Sequence, residues 1–358
     1  MENIAFVRRD FHDSIYPRCN AEFGDVLLTK DGSNTGQATV NTFREPISLL
    51  SSVCLLKPDP TKLNGRFLIY YIQSNAGFEN LTGQMTGAAI KRIVLNRIKT
   101  SEIPLPPLEE QQRIVAILDE AFEGLARAKA NAEANLASAK ELFDRAVSLE
   151  FEGLMERYPA HPLAQLTSKI TKGSSPKWQG VSYVDEPGVL FITSENVGKN
   201  QLDLTRTKYV EEAFNQKDQK SILSAGDVLT NIVGASIGRT AIYDLPHLAN
   251  INQAVCLIRC EPGRLHNAYL AYLLNSPFFK SVLHSAEVNM ARANLSLSFF
   301  RQLKVPAPPI ERQKSTAKLI ERLQGAVGQA ERRYSTRLED LGDLRQSLLA
   351  KAFTGDLT

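Results

Sequence analysis

The side chains with the clearest chemical potential in this chain are basic, and they stand where acids are absent. No Asp or Glu occurs from Asn80 to Ser101, a stretch holding Lys91, Arg92, Arg97 and Lys99. None occurs from Val288 to Ile310, with Arg292, Arg301 and Lys304, or from His161 to Val184, with Lys169, Lys172 and Lys177. Basic faces of this kind are what phosphate contact requires. The net charge is only +3, so the distribution carries this reading and the total does not. Two polar runs accompany the bases. Lys172-Gly173-Ser174-Ser175-Pro176-Lys177-Trp178 is a loop with the only tryptophan. Thr193-Ser194-Glu195-Asn196 follows the apolar run Val189-Leu190-Phe191-Ile192 and can hydrogen-bond base edges or cap a helix.

Catalytic chemistry is not written in the same residues. Gly234-Ala235-Ser236-Ile237-Gly238-Arg239-Thr240 resembles a degenerate phosphate loop. It lacks the lysine and is one residue short between its glycines. A turn in a sheet is the better account. The five histidines and four cysteines show no metal spacing. Cys256 and Cys260 lie in or beside the apolar run Ala254–Ile258 and read as buried structural thiols. Scattered free cysteines point to a reducing compartment. Met1-Glu2-Asn3-Ile4 is not a signal sequence, and no apolar run reaches the roughly 18 residues of a membrane span. A cytoplasmic location is expected. Asp25 and Asp227 are acids repeated at a turn, and a turn-capping role accounts for both.

The elements that must position these residues come from a duplication. Ile103-Pro104-Leu105-Pro106-Pro107-Leu108-Glu109-Glu110-Gln111 recurs 202 positions later as Val305-Pro306-Ala307-Pro308-Pro309-Ile310-Glu311-Arg312-Gln313. The frame runs without a gap from Gly24 to Gly153. Gly24-Asp25-Val26-Leu27 matches Gly226-Asp227-Val228-Leu229, Gly32 and Gly36 match Gly234 and Gly238, and Val53-Cys54-Leu55 matches Val255-Cys256-Leu257. Late in the unit, Leu142, Phe151 and Gly153 match Leu344, Phe353 and Gly355. The chain is therefore two copies of one unit, a globular part followed by a long helix. In this frame Met1 falls opposite Asp203, so residues from about His161 to Leu202 have no partner in the first copy.

Each globular part mixes short strand patterns with helical spacing. The strands expected are Val26–Thr29, Ile47–Leu56, Val189–Ile192, Gly226–Leu229 and Ala254–Ile258, and the helices Asn64–Ser74 and His266–Leu274. After each proline cluster the apolar residues switch to a sustained three-four spacing. In the first copy this runs through Ile114, Leu118, Phe122, Leu125, Leu136, Leu142 and Leu149, and in the second through Leu319, Leu323, Leu338, Leu344 and Leu348. A narrow stripe over roughly 40 residues makes a helix of about 60 Å that needs a partner along its length. The second helix supplies one. Antiparallel pairing would set the two globular parts at opposite ends of a rod. The expected division is 1–103 and 153–305 for the globular domains, with spacer helices over 104–152 and 306–358.

This pattern resembles the specificity subunit of type I restriction–modification systems. The resemblance rests on the Gly-Asp-Val-Leu strands with their paired glycines, on the Pro-x-Pro-Pro-[Leu/Ile]-Glu-x-Gln cluster at 104–111 and 306–313, and on the closing stretch Leu344–Gly355. It covers nearly the whole chain. It implies an α+β fold with two mixed α/β target recognition domains separated by two long α-helices in an antiparallel coiled coil. Each domain would read half of a bipartite DNA target. It implies double-stranded DNA, methyltransferase subunits and restriction motor–nuclease subunits as partners. The chain itself would be neither an enzyme nor a holder of cofactors, with S-adenosylmethionine, ATP and Mg serving the partner subunits. Against that pattern the first recognition domain begins late. A non-enzymatic coiled-coil interaction scaffold is the alternative. The expected DNA contacts are Lys172, Ser174, Lys177, Trp178, Asn196, Asn231, Arg239, Arg292 and Asn294 in the second domain and Lys91 and Arg92 in the first. Arginine suits guanine edges, asparagine suits adenine and lysine suits phosphate.

Overall fold

The computed structural model describes residues 5–83, 92–185, 188–288 and 295–357. They form two compact units, one from Met1–Asn135 with Arg333–Thr358 and one from Leu136–Arg332. The division falls inside the two long helices, so each unit owns part of both.

In the first unit, the alternating residues of β1 (Val26–Thr29) send Val26 and Leu28 fully into the core. β1 pairs antiparallel with β2 (Ala38–Val40) on one side and β3 (Val53–Leu56) on the other. The β1–β2 connection turns through Gly32 and Gly36 at φ of +96° and +92°, a region that favours glycine. Helix Gly65–Gln73 covers this sheet with Leu68, Ile69 and Ile72. Asn64 caps it, its side-chain oxygen accepting from the amides of Arg66 and Phe67.

In the second unit, the chain leaves the first long helix into β4 (Ala160–Pro162) and β5 (Thr167–Lys172). β6 (Tyr183–Val184), β7 (Val189–Ile192) and β8 (Tyr209–Val210) follow, then β9 (Asp227–Asn231), β10 (Thr240–Tyr243), β11 (Ala249–Ile251), β12 (Val255–Cys260) and β13 (Lys304–Pro306). One antiparallel sheet has the order β10-β9-β12-β5. A second has the order β11-β7-β8-β6, with β11 parallel to β7. The four residues of β7 are all buried, as its unbroken apolar run requires between two packed faces. β9, β10 and β12 are the counterparts of β1, β2 and β3 in the 202-residue frame. Among the described residues, the first unit has no strand in the place of β5.

The long helices run Leu108–Arg157 and Ile310–Thr354, 50 and 45 residues. They pair antiparallel within each unit. In the first unit, Leu118 and Phe122 pack with Leu349 and Ala352, the Arg345 guanidinium stands 4.0 Å from the Phe122 ring centroid, and Arg113 donates to the Leu357 carbonyl. In the second, Glu150 binds Arg312 at 2.7 Å and Thr316 at 2.9 Å, and Lys140 binds Glu331 at 2.9 Å. The end of each helix also closes a core with an aromatic ring. Phe353 meets Phe67 edge-on at 5.2 Å, and its repeat counterpart Phe151 meets Tyr269, the counterpart of Phe67, at 5.5 Å.

The apolar stripe reads too generously in one respect. Leu142, Leu149 and Leu344 are 71, 50 and 48% exposed. A helix of 3.6 residues per turn drifts from a 3.5-residue pattern by about 20° per heptad, which carries some stripe positions off the seam. Among the described residues, no helix is long and apolar enough to cross a membrane.

Candidate nucleic-acid interface

In the second unit, four loops gather at one end of the sheets, and the ladder registers put them there. Lys172, the last residue of β5, lies opposite Cys256, and Asn231, the last residue of β9, lies opposite Val255. The loops after β5 and β9 therefore leave beside the start of β12. Asn252, just before β12, donates its amide to the carbonyl of Ile192, the last residue of β7. That brings the loop after β7 to the same place. The loops concerned are 173–182, 193–208, 232–239 and 252–254.

Gly173 makes the junction possible. A Cβ there would lie 1.7 Å from the Ile251 carbonyl oxygen, so only glycine lets the strand pass its neighbour. Beyond it, Pro176–Gln179 forms one helical turn ended by Gly180 in the left-handed conformation. This turn exposes Lys177 and leaves Trp178 79% exposed. An indole presented to water on such a turn is available to stack on a base. Lys172 and Ser174 beside it are half-buried. Arg239 stands exposed after the Gly234–Gly238 turn, with no side-chain bond among the described residues. Lys172, Ser174, Lys177, Trp178 and Arg239 are thus carried by segments that converge on one end of the unit.

Asn196 and Asn231 depart from the sequence expectation of base contacts. Asn196 is 2% exposed, and its amide is used at both ends. Its oxygen accepts from the Thr193 amide at 2.9 Å and hydroxyl at 3.0 Å, and its nitrogen donates to the carbonyls of Asp203 and Arg206 at 2.9 and 3.0 Å. Asn231 is fully buried and donates to the carbonyls of Ser194 and Val197 and the hydroxyl of Ser236. A buried amide that is already bonded cannot reach a base edge without breaking those bonds. Both residues hold the shape of the loop after β7, and Asn231 ties it to the loop after β9. The sequence shows the right residue type here, but only the burial separates a scaffold asparagine from a reader.

In the first unit, Arg92 donates to Asp31 at 2.7 Å, and Lys30 reaches the same carboxylate at 2.9 Å. The Arg92 guanidinium and then the Lys30 ammonium hold the Asp31 carboxyl below its usual range. Part of the basic charge on this unit is therefore already compensated. Lys91, Arg292 and Asn294 lie outside the described residues.

Reactive groups decide what the site can do chemically. Burial pushes the Cys256 thiol up and raises Cys260 to about 12, the fully protonated, unreactive state of structural thiols. No cluster of metal-ligating side chains occurs among the described residues. Asp227 caps its turn as expected, accepting from the Ser224 amide at 2.7 Å, and it also binds Arg259 twice at 2.7 Å. Its counterpart Asp25 does the same with the Glu22 amide and Lys57. Lys57 and Arg259 occupy the same repeat position, an ion pair that the sequence signalled only through the frame. The arrangement offers hydrogen bonding, positive charge and one exposed ring, which is recognition chemistry.

Comparison with known proteins agrees with that reading. A relative from Escherichia coli, the type I restriction enzyme EcoBI specificity subunit, is 26% identical over 357 residues, spanning 93% of this chain and 74% of its own. The type I restriction enzyme MjaVIII specificity subunit of Methanocaldococcus jannaschii is 25% identical over 85% of this chain and 73% of its own. Two solved structures share the fold at 22% identity and 94% coverage of this chain. A chain from work on complex assembly and conformational transition of the type I R-M system superposes with a TM-score of 0.75, covering 83% of that chain. The HsdS subunit from Thermoanaerobacter tengcongensis superposes with 0.61, covering 82%. The family model described as type I restriction modification DNA specificity domain matches residues 13–135 and 168–333, the globular part of each repeat with the start of its long helix, and the chain belongs to that family.

Proposed function

We propose that this specificity subunit binds a bipartite double-stranded DNA target, one half through each unit, and brings methyltransferase and restriction motor–nuclease subunits to it. The observation that supports the reading most strongly is the convergence of Lys172, Lys177, Trp178 and Arg239 at one end of a rigid double sheet. There, lysines meet phosphates while an arginine and an aromatic ring stand free for the groove. Catalysis and its S-adenosylmethionine, ATP and Mg belong on this reading to the partner subunits, and the work is done in the cytoplasm. Deleting the gene should abolish adenine methylation at one bipartite motif in the host genome, read by modification-sensitive sequencing. Unchanged methylation at every motif would refute the proposal. A coiled-coil scaffold without DNA contact would instead show no steep salt dependence. The assembled complex should lose affinity sharply as salt rises, because neutralised phosphates release counterions.

A further inference from the structure

In the second unit, the loop after β7 reaches beyond the sheets. Val197 and Leu202 bridge antiparallel and the Gly198 amide donates to the Gln201 carbonyl, so Lys199 and Asn200 form a hairpin tip. The tip borders a cleft with Phe143 and Asp144 of helix Leu108–Arg157 and Gln324 and Val327 of helix Ile310–Thr354. Lys199 pairs with Asp144 at 3.6 Å, an exposed pair that solvent screens. Asn200 Nδ2 donates to Gln324 Oε1 at 3.4 Å. Among the described residues, Asn200 is the one residue other than glycine at positive φ, +63°. Such a conformation persists where the surroundings over-determine it. Here the Asn200 amide donates to the Thr240 carbonyl at 2.8 Å, and its side-chain oxygen accepts from Asn275 at 2.6 Å. Asn275 is buried and holds Thr240 at both ends, accepting from its amide at 3.1 Å and donating to its carbonyl at 2.7 Å. Thr240 opens β10 directly after the exposed Arg239.

The first unit builds the same link from different residues. Gln73, the repeat counterpart of Asn275, donates to the carbonyl of Ala38, the counterpart of Thr240, at 3.4 Å. Its oxygen accepts at 2.6 Å from Arg345, which stands over the ring of Phe122 on the other long helix. In each unit, one side chain at one repeat position thus ties the strand after the glycine turn to the long helices of that unit. The residue that completes the tie is Arg345 in one and Asn200 in the other, and the counterpart of Arg345 is Phe143. A local role for Gln73 and Asn275 at the strand end would require neither.

We infer that Asn200 with Asn275, and Arg345 with Gln73, are positioning residues. They hold the glycine-turn end of each unit in a fixed attitude on its stretch of the long helices, and so set how strictly the complex keeps the gap between the two half-sites. This rests on the DNA-reading proposal and deepens it. One more base pair in the gap moves a half-site by about 3.4 Å and turns it by about a tenth of a turn. A reader held stiffly cannot follow that displacement, and a reader free to tilt can.

The test uses the assembled complex and the motif that modification-sensitive sequencing finds for the parent. Competition titration compares duplexes having the native gap with duplexes one base pair longer or shorter in the gap. Asn200→Gly keeps the positive φ without strain and removes only the side chain. It should lower the preference for the native gap about fivefold, the equivalent of one hydrogen bond. Preference at single base positions and the urea midpoint should stay as in the parent. Arg345→Met keeps an apolar stem over Phe122 and should act in the same way. Asn200→Asp keeps an oxygen for Asn275 and one for Gln324, whose amide can turn to donate, and should hold the parent's preference. Unchanged gap preference in either N200G or R345M overturns the inference. So does an equal loss of affinity at every gap length, the mark of a merely structural role, or N200D behaving as N200G does. A parent that recognises no bipartite motif overturns the DNA-reading proposal itself, and the inference with it.

Discussion

Replacing Gln313 with leucine should cost the second unit about as much as a large core truncation, although no apolar volume is lost. Gln313 is fully buried at the start of its long helix. Its oxygen accepts from the His266 amide at 2.8 Å, and its nitrogen donates to the carbonyls of Arg264 at 2.9 Å and Pro308 at 2.8 Å. One side chain thus ties the proline cluster to the loop that opens helix Asn267–Asn275. Three such bonds contribute about 1 kcal/mol each. Leucine fills the space but leaves an amide and two carbonyls stranded away from water, so the cost rises to about 3–5 kcal/mol. For a unit of this size that is a fall in melting temperature of roughly 10 °C. Gln111 makes the same three bonds in the first unit, to the Asn64 amide and the carbonyls of Lys62 and Pro106, each at 2.8 Å. Gln111→Leu should therefore cost a similar amount, and because the two glutamines share no partner the costs should add. Urea unfolding measures the loss, and hydrogen exchange at the His266 amide locates it. A Q313L chain within about 1 kcal/mol of the parent, with that amide still protected, would show that the repeated glutamine does not tie the proline cluster to that loop.

The other predictions use the same units. Asp227→Asn removes the charge facing Arg259, which is only 30% exposed, and should cost about 2–3 kcal/mol in urea unfolding. Asp25→Asn should cost about 1 kcal/mol or less, because Lys57 is 37% exposed and solvent screens that pair. Lys177→Ala in the assembled complex should weaken DNA binding for all sequences alike and reduce the slope of log K against log salt by about 0.9, seen by fluorescence titration at several salt concentrations. Arg239→Ala should relax preference at one base position, seen in competition against single-position target variants. With Cys260 raised to about 12, its thiolate fraction at pH 8 is about one part in ten thousand. Maleimide should then modify the half-buried Cys19 well before Cys54, Cys256 or Cys260, in the order followed by intact mass.

The duplicated frame was legible because the two copies solve the same local problems with the same residues. Gly36 and Gly238 both turn at positive φ and donate their amides to the counterpart residues Thr29 and Asn231. Ser74 and Ser276 each accept from an amide three residues on, those of Gly77 and Phe279. Local rules of this kind are written in nearby residues, so reading two copies against each other doubles the signal. The helices were legible for the same reason, since three-four spacing over this length admits little else. What stayed hidden depends on distant partners. Asn196 and Asn231 have the composition of readers and the burial of struts. Arg92 has the charge of a phosphate contact, but Asp31, 61 residues away in the chain, already holds it. Specificity residues sit where the chain has spare hydrogen-bonding capacity, and spare capacity is a property of the folded surface. On the proposed reading, the residue types point to one end of the unit, while the partners each side chain already has decide which of them are free to contact DNA.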